Sequence, residues 1–252
     1  MKRLSLCVLA LALALPLTAR AAGDTEAPPS QAWSWDGVFG TYDRAQLLRG
    51  LDVYRNVCAS CHGLKYVRFR DLEAIGLSED EVKAIAAQYI VAGDPDELGD
   101  PTTREGRPFD AFPSPFPNDN AARASNGGAL PPDLSLMAKA RPNGSDYIYA
   151  LIGLGYGENA EPDEGGLYHN PFMSGGNIAM PPPLYDDAVT YADGTPATVD
   201  QMARDVSAFL TWAAEPKLED RKAIGIRVLL FLLVLTGMFY VAKRKLWANV
   251  AH

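Results

Sequence analysis

Cysteine and histidine are scarce in this sequence, whose 252 residues hold three of each. The first cysteine lies in an apolar run at the N-terminus, which leaves Cys58 and Cys61 for a folded domain. Only two residues separate them, a short loop for a structural disulfide. Besides the adjacent His62, the histidines are His169 and the tail residue His252, so a zinc site would need carboxylates to complete four ligands. This scarcity disfavours disulfide-rich and zinc-binding domains.

Strand-like alternation is also scarce, and the sequence holds no internal repeat. Residues 93–133 and 157–197 are dense in Pro, Gly, Asp and Asn, a composition that indicates long loops. Apolar residues at helical spacing lie between these loops. The pattern predicts a mainly α fold in which helices are joined by long loops.

Capping signals mark where the predicted helices begin. Thr41 is the expected cap of a first helix, which runs into the cysteine pair. Ser78 and Glu81 form a capping box for a second helix that extends to Ile90. A short helix within residues 146–157 ends at glycines.

The last helix of the predicted domain follows the second long loop. Thr198 and Gln201 are its expected capping box, and Pro216 ends it. Its apolar face comprises Val199, Met202, Val206, Phe209 and Leu210.

The N-terminus has the pattern of a secretory signal peptide, residues 1–21. A basic start, the apolar run from Leu4 to Leu17 and the small-x-small triplet Ala19–Ala21 are its three parts. An N-terminal membrane anchor is the alternative, but the run is shorter than the roughly 20 apolar residues that a span needs. The mature chain is therefore expected to be exported.

A second apolar run, Ile224 to Ala242, predicts a transmembrane helix near the C-terminus. At a rise of ~1.5 Å per residue this run covers roughly 28 Å, close to the thickness of the hydrocarbon core. Arg227 near one end can extend its charge to the interface. Three cations and a tryptophan follow within residues 243–247. A buried core helix is the alternative, and the charges on both sides of the run argue against it.

Positive charge is in deficit, with 23 Lys and Arg against 31 Asp and Glu. All 31 acidic residues precede the predicted span, whereas seven basic residues lie in the signal peptide, the span or the tail. The remaining 16 basic residues give the exported part a net charge of −15. Such a surface is unsuited to nucleic acid and would attract a basic protein partner. Acidic clusters in loops 94–100 and 158–164 are candidates for the docking rim; acidity that serves solubility alone is the alternative.

Cys58, Cys61 and His62 form a Cys-x-x-Cys-His sequence, the attachment signature of c-type haem. Each thiol adds to one haem vinyl group, and the histidine supplies the proximal nitrogen to iron. Zinc binding, a thioredoxin-like redox pair and chance are the alternatives, and the redox pair expects a βαβ context that the sequence lacks. One such motif in an exported chain predicts one covalently bound haem c.

The second axial ligand decides the chemistry of such a haem. Methionine closes the iron and supports electron transfer at a raised potential, whereas an open face binds small molecules or supports oxygen chemistry. Met180 is the favoured ligand, because three prolines follow it directly and restrict its loop. Met173 in the same loop and His169 are the rivals. Met137 and Met202 are more simply explained as core residues.

The haem propionates also need polar partners. Arg123 is a candidate, because its guanidinium matches a carboxylate, and Tyr147, Tyr149 and Tyr156 are further possible donors. An exposed arginine and half-buried tyrosines are the simpler explanations of these residues.

The chain resembles the cytochrome c1 family, the haem-carrying subunit of the quinol–cytochrome c oxidoreductase (cytochrome bc1) complex. The resemblance runs from about Trp33 to Trp247 and rests on several stretches. They are RGLDVYRNVCASCHGLKYV, AARASNGGALPPDLSLMAKAR, DYIYALIGLGY, GLYHNPF, NIAMPPPLYDD, DGTPATVDQMARDVSAFLTWAAEP and KRKLW after the anchor. The C-terminal part resembles that of respiratory and photosynthetic alphaproteobacterial members.

The resemblance implies a c-type cytochrome fold with long loops around one haem and a single C-terminal transmembrane helix. It implies that the two cysteines bind the haem covalently and that His62 and Met180 ligate the iron. Arg123 and Tyr147 would lie at the propionates. Some bacterial relatives carry a second cysteine pair; this chain has none, so no disulfide is expected to brace the Met180 loop.

The implied organisation is a signal peptide (1–21), a periplasmic cytochrome c domain (22–222), a transmembrane anchor (223–243) and a cytoplasmic tail (244–252) in a bacterial inner membrane. The subunit would accept electrons from the Rieske iron–sulfur protein and pass them to a soluble or membrane-bound cytochrome c. It would pack beside cytochrome b in a dimeric complex, and it would not be an enzyme by itself. Two alternatives stay open: an anchored cytochrome c of an oxidase or another reductase, and a haem enzyme or gas sensor such as a peroxidase.

Overall fold

The structure, a computed structural model, describes residues 25–157 and 160–249, so the predicted signal peptide lies outside the described residues. The described part is mainly helical, which confirms the predicted fold class. Its α-helices are α1 (Arg44–Asn56), α2 (Glu79–Ala86), α3 (Asp119–Ser125), α4 (Met137–Ala140), α5 (Gly144–Tyr149), α6 (Val199–Ala214) and α7 (Leu218–Trp247). Shorter helical segments are 3₁₀ turns at Cys58–Ser60 and Phe69–Ile75 and a π-helical turn at Ala150–Leu154.

In the part of the chain that the structure describes, four short strands form two antiparallel pairs within the loops. They are β1 (Ile90–Ala92) with β2 (Thr103–Glu105), and β3 (Tyr168–His169) with β4 (Asn177–Ile178). The first pair corrects one expectation: helix α2 ends at Ala86 and does not extend to Ile90, because Ile90 pairs with Glu105. Strands of two or three residues contain too few alternating positions to be recognised in a sequence.

Helix α1 begins later than the expected Thr41 cap. Asp43 is its N-cap, and the Asp43 carboxylate accepts hydrogen bonds from the N–H groups of Ala45 and Gln46 at 2.9 and 3.2 Å. Thr41 donates its own N–H to the Ser34 carbonyl at 3.1 Å and belongs to the preceding turn. A carboxylate satisfies first-turn N–H groups and also faces the positive end of the helix dipole, so Asp43 is the better cap.

The expected capping box of α2 is complete, whereas only half of the box expected at α6 is present. Ser78 and Glu81 form the complete capping box at the start of α2. Thr198 caps α6 by accepting the Gln201 N–H at 3.2 Å. The Gln201 side chain was expected to complete this box, but it donates to Asp205 at 2.9 Å. The buried carboxylate of Asp205 takes that amide because an unsatisfied buried charge is costly.

The core lies where α1 packs against α6. At Gly50 the helices are so close that a Cβ atom would clash with the Asp205 carbonyl and the Phe209 side chain. Tyr54 of α1 contacts Phe209 and Phe112, with ring centroids 5.8 and 5.6 Å apart. The buried residues of α6 include Met202, Val206, Phe209 and Leu210, which confirms most of the expected apolar face.

Helix α7 is 30 residues long and is, within the described residues, the helix long and apolar enough to cross a membrane. Most of its apolar side chains from Ile224 onward are exposed, whereas Leu218 at its start is buried against the domain. A helix of this length extends about 45 Å, enough for the hydrocarbon core and both interfaces. It therefore fits a single-pass membrane anchor.

Candidate haem site

The Cys-x-x-Cys-His segment forms one tight turn directly after helix α1. The Cys58 carbonyl accepts hydrogen bonds from the N–H groups of Cys61 at 3.1 Å and His62 at 2.9 Å. The Ser60 hydroxyl donates to the Val57 carbonyl at 3.0 Å and closes the turn. The backbone thus brings two thiols and an imidazole together within five residues, as attachment to one planar group requires.

The two thiols are free and half-buried. Burial, with the neighbouring Cys61 as a smaller cause, raises the pKa of the Cys58 thiol to about 12. Cys58 is therefore a neutral thiol near pH 7. A thioether to a haem vinyl group is also uncharged, so attachment adds no buried charge at this position.

His62 binds the protein through one ring nitrogen and leaves the other free. Its Nδ1 lies 2.7 Å from the carbonyl oxygen of Pro132. A carbonyl only accepts, so Nδ1 carries the hydrogen and Nε2 keeps its lone pair for a metal. Burial is the largest influence on the ring and lowers the pKa of His62, which keeps the imidazole neutral and able to ligate.

The segment 132–135 runs alongside the residues that follow the haem motif. Three hydrogen bonds continue the contact that His62 begins. They join the Leu134 N–H to the Gly63 carbonyl (2.9 Å), the Lys65 N–H to the Asp133 carboxylate (3.0 Å) and the Tyr66 N–H to the Ser135 hydroxyl (3.1 Å). The Pro-Pro-Asp-Leu-Ser stretch therefore fixes the backbone after the motif and orients the imidazole.

Met180 is half-buried in the loop that follows strand β4. The Tyr156 hydroxyl donates to the Met180 carbonyl at 2.8 Å, and the Tyr156 ring meets Tyr168 of β3 edge-on with centroids 6.5 Å apart. Met180 lies near His62. The favoured pair of axial ligands is thus found in one region, and the ligation itself stays a prediction.

The fully buried Asn170 attaches the β3–β4 hairpin to the π-helical turn. Its side-chain nitrogen donates to the Leu151 carbonyl at 2.8 Å, and its side-chain oxygen accepts the Phe172 N–H at 3.2 Å. Gly155 is required beside it, because a Cβ atom there would overlap the Asn170 amide. The chain has no second cysteine pair to form a disulfide in this region. The hydrogen bonds of the Asn170 amide therefore help to hold the start of the loop that carries Met180.

The rival ligand candidates have other surroundings. The Met173 sulfur accepts a hydrogen bond from the Tyr147 hydroxyl at 3.7 Å. His169 is exposed in strand β3. Met202 is fully buried in the core and Met137 packs against it half-buried, in agreement with the simpler explanation of both. These positions keep the methionine after β4 as the favoured ligand.

The two propionate candidates lie in different parts of the domain. Arg123 is exposed near the end of α3, and its guanidinium donates to the Gly128 carbonyl at 3.1 Å. Tyr147 is half-buried on α5 and reaches the loop that carries Met173. Neither contact tests a role at the propionates, which stays a prediction for both residues.

Two alternative chemistries for the cysteine pair lose support. Within residues 25–157 and 160–249, no three His, Cys, Asp or Glu side chains come together as a metal ion would need. The sheets of that same part are antiparallel pairs, so the motif is not in a thioredoxin-like βαβ unit. Two half-buried thiols and an imidazole whose Nε2 keeps its lone pair fit the needs of a haem c.

Comparison with known proteins decides the family. The family model described as "Cytochrome C1 family" matches residues 33–250. The chain belongs to the cytochrome c1 family. Membership confirms the resemblance that the motifs indicate, and it implies a covalently bound haem c.

Individual relatives align with most of this member of the cytochrome c1 family. Cytochrome c1 of Rhodospirillum rubrum is 52% identical over 240 residues, 88% of each chain. The mitochondrial cytochrome c1 heme protein of Saccharomyces cerevisiae is 45% identical over 88% of this chain and 72% of its own. Cytochrome b/c1 of Bradyrhizobium diazoefficiens is 45% identical, and the match covers 92% of this chain but 37% of that longer protein. The similarity thus extends far beyond the haem motif.

Pro132 and Asn170 position the site although the sequence does not single them out as site residues. Pro132 acts through its backbone carbonyl, which every residue type possesses. Asn170 acts through a buried amide, a group that is more often exposed. The available signal was their presence in the GALPPDLS and GLYHNPF stretches that carry the family resemblance.

Proposed function

We propose that this chain is the electron-transfer haem subunit of a cytochrome bc1 complex, which accepts an electron from the Rieske iron–sulfur protein and passes it to a soluble or membrane-bound cytochrome c. The family match over residues 33–250 carries the proposal. The site supports it, since histidine and methionine are the ligands of a haem that relays electrons without binding substrate. By itself the subunit catalyses no reaction, and quinol oxidation belongs to the whole complex.

The residues of the site hold the haem and keep its ligands in place. The two cysteines would attach it, and His62 and Met180 would supply the ligands of its iron. When bound, the haem supplies a one-electron couple between ferric and ferrous iron. The hydrogen bond from His62 to Pro132 fixes the plane of the imidazole and makes it a stronger donor. Tyr156 and Asn170 hold the loop that carries Met180 at two points, so its backbone would stay in place when the bound haem changes oxidation state.

The proposed location follows from the two ends of the chain. The haem domain (22–222) lies in the periplasm of a bacterium, the anchor (223–243) in the inner membrane and the tail (244–252) in the cytoplasm. The secretory pattern and the length of α7 support this arrangement. Cytochrome b is the proposed neighbour of the anchor in a dimeric complex, since one relative is named cytochrome b/c1 and aligns with 92% of this chain.

Carbon monoxide distinguishes this function from that of a haem enzyme or gas sensor. A histidine–methionine pair leaves no free coordination position on the iron. The spectrum of the reduced protein at neutral pH should therefore stay unchanged when carbon monoxide is added. Rapid binding of the gas would contradict the electron-transfer proposal.

Met180→Leu tests the distal ligand in the same preparation. Loss of the thioether should open the iron to carbon monoxide and lower the midpoint potential by about 100 mV or more, because axial ligands tune haem potentials over about 0.8 V. Met173→Leu, a matched change in the same loop, should leave both properties unchanged. If only Met173→Leu binds carbon monoxide and lowers the potential, Met173 is the ligand. If neither variant changes, neither methionine is the ligand and His169 is the remaining candidate.

Copurification distinguishes a cytochrome bc1 subunit from an anchored cytochrome c of an oxidase or another reductase. The full chain, tagged at its C-terminus and extracted in mild detergent, should retain a cytochrome b and a Rieske protein. Retention of oxidase subunits instead would contradict the proposed complex.

A further inference from the structure

The turn at residues 35–40 lies beside the start of helix α7 and exposes two large apolar side chains. Phe39 is 84% exposed and Val38 is 62% exposed. The base of the turn is buried: Trp35 is 7% exposed, and its ring stacks on Trp33 with centroids 4.9 Å apart. Two adjacent exposed apolar side chains, at the tip of a turn whose base is buried, indicate a surface that contacts lipid or another protein.

Hydrogen bonds keep this turn in one shape. The Trp33 N–H donates to the Asp36 carboxylate at 2.9 Å, and the Thr41 N–H donates to the Ser34 carbonyl at 3.1 Å. Gly37 has a φ of 69°, in the left-handed region that favours glycine. The backbone therefore presents the apolar tip in a preformed arrangement.

Lys222 of α7 holds the turn against the anchor helix. Its ammonium group donates to the carbonyl oxygens of Trp35, Gly37 and Gly40 at 2.5, 2.7 and 3.0 Å. All three donors of the ammonium group are thus matched by carbonyls of one turn. The turn cannot leave the helix without breaking three hydrogen bonds to a charged group.

The position of Lys222 sets the depth of the turn relative to a bilayer. Lys222 lies two residues before Ile224, where the apolar run begins, and roughly 7–8 Å along the helix axis from Arg227. The headgroup region on each side of the hydrocarbon core is about 5–8 Å thick. When α7 spans the bilayer, Lys222 and the turn that it holds lie within this region.

We propose that Val38 and Phe39 insert into the lipid interface and form a second membrane contact beside α7. Apolar side chains at the boundary of headgroups and acyl chains leave water, as the apolar face of an interfacial helix does. Two contacts fixed to each other by Lys222 would set the tilt and rotation of the haem domain above the membrane. The inference rests on the proposed anchoring by α7, and the experiment separates the two.

Spin labels on the full, haem-loaded chain in phosphatidylcholine–phosphatidylglycerol vesicles test the insertion. Phe39→Cys is the test position, Leu233→Cys in α7 is the lipid reference, and Leu98→Cys is the water reference, since Leu98 is 88% exposed in an acidic loop. Native Cys58 and Cys61 are occupied by the haem, and Cys7 is removed with the predicted signal peptide, so the unsubstituted mature chain should take up no label. Collision rates with oxygen, which enters lipid, and with a water-soluble nickel chelate then report depth.

The proposal predicts an oxygen-to-nickel collision ratio at position 39 that is several-fold above that at Leu98 and approaches that at Leu233. A ratio at position 39 equal to that at Leu98, with Leu233 in lipid, would overturn the insertion and leave the anchor intact. A label at position 39 that neither reagent reaches would mean that protein covers the turn. This result would also overturn the insertion into lipid. A water-accessible Leu233 would refute the anchor itself, and the insertion with it.

Lys222→Met tests whether the hydrogen bonds from Lys222 keep the turn in place beside α7. Without the ammonium group the spin label at Phe39 should become more mobile, and its collision ratio should fall towards that at Leu98. Lys217→Met is the matched control, because the exposed Lys217 pairs with Asp220 at 3.4 Å and not with the turn. Equal effects of the two substitutions would overturn the role of Lys222.

Discussion

Asp205 is fully buried in helix α6, and its charge is balanced by Arg49 of helix α1. The Arg49 Nε atom lies 2.9 Å from the Asp205 carboxylate, and Gln201 donates to the same carboxylate at 2.9 Å. Asp193 binds the outer side of the guanidinium at 2.9 Å. A buried carboxylate is tolerated only with such partners. The group links α6 to the helix that leads into the haem motif.

Arg49→Met should therefore destabilise the fold strongly. The substitution keeps the length of the side chain but leaves the Asp205 charge buried without a cation, which costs about 3–5 kcal/mol of the free energy of unfolding. Denaturant unfolding of the full chain in detergent measures the loss. Lys83→Met is the control, because Lys83 pairs with Glu79 on an exposed helix face at 2.8 Å and should change stability little. Similar losses in the two variants would contradict the role of Arg49.

At the scale of the elements, the close approach of α1 and α6 depends on Gly50. A methyl group at this position has no space between the Asp205 backbone and Phe209. Gly50→Ala should push the helices apart and lower the free energy of unfolding by about 1–3 kcal/mol, although alanine favours helices. Gly237→Ala in α7 is the control, since an added Cβ there meets no atom within 4 Å apart from the adjacent residues and the backbone of its own helix. A stabilised Gly50→Ala protein would contradict the packing described.

The junction between the domain and helix α7 contains a carboxylate with a lowered pKa. Glu219 binds the Arg44 guanidinium with both oxygens, at 3.0 and 2.6 Å, and accepts the Tyr42 N–H at 2.7 Å. The hydrogen bond from Arg44 is the largest cause that lowers the pKa of Glu219 below its usual 4.5. Lys222 one turn later lowers it further. The junction is therefore expected to respond to acid.

Glu219→Gln tests this response. Because the pKa of Glu219 is lower in the folded state than in the unfolded state, its contribution to stability is present above pH 4.5 and is lost as the pH falls through the folded pKa. The variant should melt at a lower temperature than the unsubstituted chain at pH 7, and the difference should vanish in strong acid. Asp220→Asn, an exposed neighbour, is the control. A difference that does not change with pH would contradict the assignment.

At the scale of the whole molecule, negative charge dominates the part that precedes the anchor. Exposed loops such as 94–100 and 160–164 carry several of these charges. Reduction of a basic cytochrome c by the haem-loaded protein should slow by about tenfold or more between 10 and 200 mM salt, because the screening length falls from about 30 Å to below 10 Å. Stopped-flow mixing measures the rate, and an acidic cytochrome c is the control. A rate independent of salt would remove the acidic loops from the docking surface.

Most predictions that depend on neighbours in the chain agree with the structure, although the cap of α1 is Asp43 and not the expected Thr41. The capping box of Ser78 and Glu81 and the helical anchor involve groups within a few residues of each other or a continuous apolar run. Predictions that ignored distant partners were wrong in detail. Gln201 turns to the buried Asp205, and Ile90 pairs with a strand 15 residues away. Patterns within a few residues cannot predict a contact with a residue that only the fold brings close.

The sequence by itself determined which chemical groups are available. They are a haem attachment motif, a methionine before three prolines, an excess of acidic residues and a continuous apolar run long enough for an anchor. The tertiary structure alone decided how these parts are held. His62 is oriented by a carbonyl 70 residues away, and Lys222 is bound to a turn more than 180 residues earlier. The reason is physical, because backbone carbonyls occur at every residue and only the folded chain selects which of them meets a given side chain.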